Sequence, residues 1–328
     1  MPVMDRTGLI LDIFALRART REARLQVEMA RLQYMLPRLV GMHESLGRQA
    51  GTGGSMSNKG AGETKLELDR RKIQHRISEL NKELETIERS RETQRKRRNS
   101  SRIPQVALVG YTNAGKSTIL NRMLEEFGKV PDKQVLEKDM LFATLETSVR
   151  YIEPEDGRAF FLADTVGFID KLPHGLVKAF RSTLEEVRYA DLLVQVVDIS
   201  HEDYRRQMEV TEETLRELGV VDISQIIVYN KATSRMDKLP HVSQDSIYMA
   251  AGEGIGVREL TDLIQTKLYQ NCRECEFLIP YTQGTAASYL MEQAVVLEKE
   301  YRGDGLYLKA RCDTRDAEKY RCFIGNGD

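Results

Sequence analysis

"QVALVGYTNAGKSTILN", residues 105–121, is the stretch that decides the fold. An apolar run leads into Gly110, and Lys116 and Ser117 follow a second glycine, Gly115. This spacing fits G-x-x-x-x-G-K-[ST], the phosphate-binding loop that joins a buried strand to a helix. Glycines let the backbone turn its N–H groups, together with the helix N-terminus, toward an anion. The stretch therefore predicts a nucleotide site in which Lys116 reaches the β/γ-phosphates and Ser117 binds Mg²⁺.

A second signal lies downstream, in "FLADTVG", residues 161–167. Here D-x-x-G follows an apolar run, so the Asp164 carboxylate can hold the Mg²⁺ shell through water and the Gly167 amide can sense a γ-phosphate. Between the two signals, "DMLFATLETSVR" offers Thr144 or Thr147 as a threonine that binds Mg²⁺ only when a γ-phosphate is present. Such a segment predicts a switch between ordered and disordered states.

Alternating strand and helix patterns surround these motifs. The runs "QVALVG", "AFFLADT", "LLVQVVD" and "QIIVYNK" read as buried parallel strands, and helices are predicted over 176–188, 204–218 and 257–269. We therefore expect a doubly wound α/β domain with a mostly parallel sheet over residues 104–271.

The first 103 residues have a helical pattern instead. One helix is predicted over 16–39 and a second over 66–87, each with an a/d apolar stripe that neither can bury alone. An antiparallel helical hairpin is the simplest solution. Between the helices, residues 41–65 look too rich in Gly and Ser for a regular element, and residues 89–102 read as a basic linker.

Charge separates this N-terminal part from the rest. Residues 1–103 hold 22 Lys and Arg against 13 Asp and Glu, and the remainder holds 27 against 37. We expect the hairpin tip, Gly41 to Arg76, to face a polyanion such as RNA, although solvated helix faces and a solvated connector remain alternatives. The candidate cations are Arg48, Lys59, Lys65, Arg70, Arg71, Lys72, His75 and Arg76.

The C-terminal 272–328 read as a small α+β domain, with a helix over 285–301 and strands over 305–312 and 318–325. Cys272 and Cys275 have C-x-x-C spacing, but Cys312 and Cys322 lie far away, which disfavours zinc. The chain of 328 residues lacks a secretory pattern at its start and any apolar run of membrane-spanning length, so a cytoplasmic protein is expected.

Seven stretches give a more specific indication. They are "DRTGLILDIFALRART", "LQYMLPRL", "GAGETKLELDRRKIQHRI", "GYTNAGKST", "LFATLET", "DTVGFIDKLPHGLVKAFRSTLEEV" and "ADLLVQVVD". Together they cover nearly the whole chain and resemble the HflX family of translation-factor-class GTPases.

The resemblance implies a GTP-hydrolysing switch, monomeric and bound to GTP or GDP with Mg²⁺, that engages the large ribosomal subunit and splits or rescues ribosomes. It makes Thr144 the Mg²⁺ threonine, and Phe168 takes the place of a water-positioning glutamine, which implies slow intrinsic hydrolysis. Asn113 resembles the loop asparagine of K⁺-stimulated GTPases. The residues implied to bind nucleotide are Gly110, Tyr111, Thr112, Asn113, Ala114, Gly115, Lys116, Ser117, Thr118, Asp164, Thr165, Val166, Gly167, Asn230, Lys231, Ala250 and Ala251.

The sequence departs from the family pattern at three places. A further subdomain normally precedes "DRTGLILD", so the chain looks short at its N-terminus. The guanine motif N-K-x-D has Thr233 in place of its aspartate, and losing that charge-assisted pair costs about 2–4 kcal/mol. The base loop has Ala250 where a serine is usual. Two rivals follow: an RNA-binding protein with a decayed nucleotide site, and an ATPase with relaxed base selection.

Overall fold

The computed structural model describes residues 4–49, 59–100, 103–128, 148–155, 158–169, 187–220 and 222–324. Three helices come first: α1 (Arg6–Arg17), α2 (Arg21–Gln49) and α3 (Lys59–Ser100). Ion pairs join Arg76 to Glu28 and Arg21 to Glu83, so the contacts run in opposite order along α2 and α3. The predicted antiparallel hairpin is confirmed. Within the described ranges, no helix is both long and apolar enough to cross a bilayer.

The helix boundaries differ from the predicted ones. The predicted helix over 16–39 is two helices, because Ala18 is extended and Thr20 caps α2 by accepting a hydrogen bond from the Ala23 amide at 3.2 Å. The predicted irregular tip is helical up to Gln49 and again from Lys59. The basic stretch 89–102, read as a linker, continues α3 to Ser100, since Arg, Lys, Glu and Gln are good helix formers even without an apolar stripe.

A seven-stranded sheet follows, in the order β2-β3-β1-β4-β5-β7-β6. Its central strands β3, β1, β4, β5 and β7 pair in parallel, and β2 and β6 pair antiparallel at the edges. The strands are β1 (Gln105–Gly110), β2 (Ser148–Ile152), β3 (Phe160–Asp164), β4 (Leu192–Asp198), β5 (Ser224–Asn230), β6 (His241–Val242) and β7 (Ser246–Tyr248). The predicted mostly parallel sheet is confirmed, and β1 lies near its centre.

Helices cover both faces of this sheet. On one face α4 (Lys116–Phe127) and α6 (Val257–Leu268) enclose the largest apolar cluster, which includes Leu108, Val194 and Val228. On the other face α5 (Tyr204–Glu217) packs against β1 and β4. The predicted helix over 176–188 falls largely outside the described residues. Such a layered sheet places ligands at the carboxyl ends of its strands.

The C-terminal part is a three-stranded antiparallel sheet of order β8-β10-β9. It comprises β8 (Cys272–Ile279), α7 (Gly284–Gln293), β9 (Val295–Arg302), β10 (Gly305–Asp313) and α8 (Thr314–Lys319). The predicted helix over 285–301 is wrong in its second half, because residues 295–302 pair with β10 as a strand. The strand predicted over 318–325 is also wrong, since α8 and a 3₁₀ turn occupy most of it. Tertiary pairing with β10 overrides local propensity in the first case, whereas in the second Asp313 caps α8 and starts a helix.

Candidate nucleotide site

The loop between β1 and α4 has a backbone that requires its two glycines. Gly110 and Gly115 have φ values of +144° and +98°. A Cβ on Gly110 would lie 2.2 Å from the Val196 carbonyl oxygen, and one on Gly115 would lie 2.2 Å from Asn230 Nδ2. Any side chain at either position would therefore clash with β4 or with the end of β5. Asn113, also at positive φ (64°), completes the turn.

Lys116 occupies the interior of this loop. Its Nζ donates to the carbonyl oxygens of Gly110 at 3.1 Å and Tyr111 at 2.8 Å. Burial lowers the pKa of Lys116 to about 8, and the negative charge of Asp164 opposes this shift. The hydroxyl oxygen of Thr112 is also buried, with no hydrogen-bond partner among the described residues. A buried ammonium and a buried hydroxyl in one loop fit a phosphate group.

Ser117 and Asp164 form a pair of oxygen-bearing side chains that could bind a metal ion. Ser117 Oγ donates to Asp164 Oδ2 at 2.6 Å, so the start of α4 touches the end of β3. Asp164 is fully buried. Hydroxyl and carboxylate oxygens are the ligands that Mg²⁺ prefers, and the pair fits this ion. Thr144 and Thr147 lie outside the described residues.

The D-x-x-G segment is bonded to the phosphate loop through its main chain. The Phe168 amide donates to the Gly110 oxygen at 3.1 Å, and the Thr112 amide donates to the Phe168 oxygen at 2.9 Å. A Cβ on Gly167 would lie 2.7 Å from Thr112 Cα. The Thr165 hydroxyl donates to the Leu108 oxygen at 2.6 Å. Any movement of Gly167 must therefore be accompanied by movement of the phosphate loop or by loss of these bonds.

The same segment contacts the helical hairpin, which the sequence did not predict. Val166 and Ile169, on either side of Gly167 and Phe168, are buried in the apolar cluster formed by α1, α2 and α3. Tyr111 of the phosphate loop packs against this cluster as well. Phe168 itself turns the other way and is 3% exposed, in the cluster between the sheet and α5. Adjacent residues thus belong to different cores.

The N-K motif at the end of β5 braces the opposite side of the loop. Asn230 Nδ2 donates to the Ala114 oxygen at 2.9 Å, and its Oδ1 accepts from the Ala251 amide at 3.0 Å. Lys231 Nζ donates to the Asn113 oxygen at 3.0 Å. The predicted residues Asn230, Lys231 and Ala251 therefore come together beside the phosphate loop, with the Ala251 amide bonded to Asn230.

Two residues of this region were missed by sequence reasoning. Asp198 accepts from Lys231 Nζ at 2.7 Å; burial acts to raise its pKa, but hydrogen bonds from Lys231 and Ser200 outweigh burial and lower it. Arg122 of α4 donates from its Nη2 to the Gly252 oxygen at 2.9 Å. The position of Asp198 directly after an apolar run was a usable signal, whereas nothing marked Arg122.

Thr233 lies in a 3₁₀ turn, Ala232–Ser234, directly after the N-K pair. Its side chain is exposed beside the loop that Asn230 organises. A hydroxyl at this position offers no charge and can accept fewer hydrogen bonds than a carboxylate.

The cysteines of the C-x-x-C pair do not form a metal site. They lie three residues apart on β8, so their side chains leave opposite faces of the strand. Across the ranges that the structure describes, no group of three or more His, Cys, Asp or Glu side chains could hold a metal ion.

Comparison with known proteins assigns the family. Residues 17–98 match the family described as GTP-binding GTPase Middle Region, and residues 105–231 match 50S ribosome-binding GTPase. The GTPase HflX of Caldanaerobacter subterraneus is 44% identical over 322 residues, 98% of this chain and 73% of the relative. The GTPase HflX of Escherichia coli K12 is 40% identical over 305 residues, 91% of this chain and 69% of the relative.

Among solved structures, a GTP-binding protein from Sulfolobus solfataricus in complex with GDP aligns with 81% of this chain and 73% of its own, at 27% identity and a TM-score of 0.48. The phosphate loop, the D-x-x-G segment and the N-K pair described above all lie within the span shared with the two bacterial relatives. This chain belongs to the HflX family of GTPases.

Proposed function

We propose that this protein is a GTP-hydrolysing switch that binds the large ribosomal subunit and promotes ribosome dissociation or rescue. The observation that carries the proposal is the double contact of the D-x-x-G segment. Its main chain is bonded to the phosphate loop at Gly110 and Thr112, and Val166 and Ile169 are buried in the hairpin core. A change at the phosphates can therefore reach the hairpin through this short segment, in addition to the direct packing of Tyr111. Two arrangements of a packed element are the usual basis of a switch.

The phosphate loop and the D-x-x-G segment form one part of the nucleotide site, here called the phosphate half. It would bind the triphosphate through the main chain of residues 110–118 and the Lys116 ammonium. Ser117 would hold Mg²⁺ directly, Asp164 through water, and Thr144 when a γ-phosphate is present. Bound Mg²⁺ would supply positive charge to the phosphate oxygens. Because the Phe168 ring is buried in the core, it cannot orient a water molecule, which supports a slow intrinsic rate that the ribosome stimulates.

The other part of the site, here called the base half, would hold the nucleotide base. It would be framed by Asn230, Lys231, Ala250 and Ala251. Thr233 removes the carboxylate that would accept two hydrogen bonds from guanine, so we propose weakened selectivity for GTP. The missing carboxylate also fits two rival functions. One is an RNA-binding protein whose nucleotide site has decayed, and the other is a protein that hydrolyses ATP as well as GTP. A decayed nucleotide site does not explain the buried Lys116 or the hydrogen-bonded pair of Ser117 and Asp164. An ATP-hydrolysing protein would use the same three residues, so only a comparison of GTP with ATP separates it from the proposed function.

The hairpin tip, Gly41 to Arg76, would contact ribosomal RNA. Among its cations, Arg76 pairs with Glu28 of α2 at 2.8 Å and so links the two helices. Arg71, Lys72 and His75 lie beside carboxylates of α3 itself, in exposed pairs with Glu67, Asp69 and Glu79. We therefore assign the phosphate contacts to the cations nearer the tip, such as Lys59 and Lys65. We further propose that the protein is a cytoplasmic monomer and that K⁺ stimulates it through Asn113.

The test is GTP hydrolysis measured with and without large ribosomal subunits. We expect slow basal turnover and clear stimulation in the wild type. Ile169→Ala should keep the basal rate and lose part of the stimulation, since it truncates one of the two side chains, Val166 and Ile169, that join the D-x-x-G segment to the hairpin core. Met29→Ala, equally buried in the same cluster but remote in sequence from the site, is the matched control and should remain stimulated. Absence of stimulation in the wild type, or equal turnover of ATP, would favour the rivals.

A further inference from the structure

Three aromatic side chains lie in a row across the far edge of the large sheet. Tyr229 of β5 is the register partner of Tyr248 of β7, and Tyr248 is the register partner of His241 of β6. The tyrosine rings are stacked, with centroids 4.5 Å apart and planes 19° apart. The His241 and Tyr248 centroids are 6.1 Å apart. Register partners share one face of a sheet, so the three rings form a continuous aromatic row.

This face of the sheet is open at its edge in the part of the chain that the structure describes. Along β5 the burial alternates: Ile226 and Val228 are buried in the main core, whereas Ile227 and Tyr229 on the other face are half-buried. Helix α5 packs against β1 and β4 on that face. His241 is exposed. The aromatic row is therefore accessible from solvent along one side.

Cationic side chains border the row. Tyr204, at the start of α5, has the guanidinium carbons of Arg235 and Arg205 at 5.3 and 5.8 Å from its ring centroid. Both arginines are exposed. Arg235 donates to the His201 main-chain oxygen at 3.4 Å, and Arg205 to the Tyr204 hydroxyl at 3.3 Å. Neither has a carboxylate partner within the described ranges, unlike the neighbouring Arg206, which is ion-paired with Glu209.

The chemistry of such a surface is that of single-strand nucleic-acid recognition. Tyr229 and Tyr248 cover each other's facing ring surfaces, so bases would stack on the ring surfaces that remain at the solvent side of the row. Exposed arginines would contact the connecting phosphates. The tyrosine hydroxyls are neutral near pH 7 and do not repel phosphate. The two arginines are also notable because residues 104–328 carry an excess of acidic side chains.

We propose that Tyr229, Tyr248 and His241, with Arg205 and Arg235, form a binding surface for single-stranded RNA. This surface is separate from the hairpin tip and lies beside the N-K motif, because Arg235 and Lys231 share the loop that follows β5. A role in packing alone would explain the stacked tyrosines but not the exposed histidine or the two arginines without carboxylates. A proline-rich peptide would also fit an aromatic row, but it carries no phosphate groups for Arg205 and Arg235 to contact.

The test uses the full chain and a fluorescent decauridylate. Tyr248→Leu removes the ring while keeping bulk, and we expect it to weaken binding about tenfold, whereas Tyr248→Phe should bind like the wild type. Replacing Arg205 and Arg235 by Gln should lower the slope of log affinity against log salt by about 0.7 for each phosphate that these arginines neutralise. Tyr301→Leu is the control, since this exposed tyrosine also has a lysine over its ring but lies on β9.

Ultraviolet cross-linking then locates the contact. The tryptic fragment 239–258 contains both His241 and Tyr248, and we expect uridine cross-links in it. Cross-links confined to the hairpin, equal affinity of Tyr248→Leu and wild type, or preference for a polyproline peptide over the oligonucleotide would each overturn the proposal. Large-subunit binding measured on the same variants keeps the outcomes apart, because the function proposed above is tested on the wild type with ribosomal subunits and does not depend on binding of the oligonucleotide.

Discussion

The two halves of the nucleotide site are built differently. In the phosphate half, the ligand-facing groups are main-chain amides and a buried ammonium held by close packing at Gly110 and Gly115. In the base half, Asn230 and Lys231 brace the loops, but the side chains that would read a guanine are reduced to Thr233 and main-chain groups. Affinity and chemistry should therefore reside in the phosphate half, and selectivity should be the weaker property.

The largest expected effect is that of Lys116→Ala. Removing a buried cation that contacts phosphate should weaken GTP and GDP binding by about 100-fold or more and abolish hydrolysis. Isothermal titration with each nucleotide measures this. Lys238→Ala, an exposed lysine of the same domain, should behave as the wild type. Unchanged nucleotide retention in Lys116→Ala would show that the phosphates bind elsewhere.

The packing of the phosphate half is probed by Gly115→Ala. A methyl group at φ +98°, placed 2.2 Å from Asn230 Nδ2, should destabilise the fold by about 2–4 kcal/mol. Urea unfolding of the nucleotide-free protein gives the value. Gly252→Ala is a matched control, because no atom lies within 4 Å of its added Cβ. Equal stability of the two variants would contradict the close contact between loop and motif.

Thr233→Asp should repair the base half. A carboxylate at this exposed position should tighten GTP binding at least tenfold and leave ATP binding unchanged, since adenine lacks the donors that it would pair with. Thr233→Asn, similar in size and neutral, should give a smaller gain. If GTP affinity does not respond to the aspartate, the base does not lie beside the 3₁₀ turn.

The smallest expected effect is that of removing the ion pair between Asp198 and Lys231. Asp198→Asn should cost about 1 kcal/mol, because the ion pair with Lys231 is partly exposed. The pKa of Asp198 is lowered, so its contribution is present above the ordinary value of 3.8 and is lost only as the pH falls through the lower folded value. The stability difference between variant and wild type should therefore be constant from pH 5 to 8. A difference that shrinks across this range would indicate another titrating partner.

Features defined by local sequence could be predicted, whereas contacts between residues far apart in the chain could not. Motifs with fixed spacing, such as those at Lys116 and Asp164, follow strands β1 and β3 and meet in space as their local patterns predicted. Helix boundaries failed where a cap or a pairing partner decided them, as at Thr20 and at residues 295–302. The burial of Val166 and Ile169 in the hairpin core joins residues far apart in the chain, and no local pattern reports such a contact.

The central claim is that the phosphate half controls the hairpin through the D-x-x-G segment. Its most direct test is the affinity of the protein for large ribosomal subunits, measured by co-sedimentation with a non-hydrolysable GTP analogue, with GDP and without nucleotide. We predict tight association with the analogue and at least tenfold weaker association in the other two states. Equal association in all three states would contradict the account.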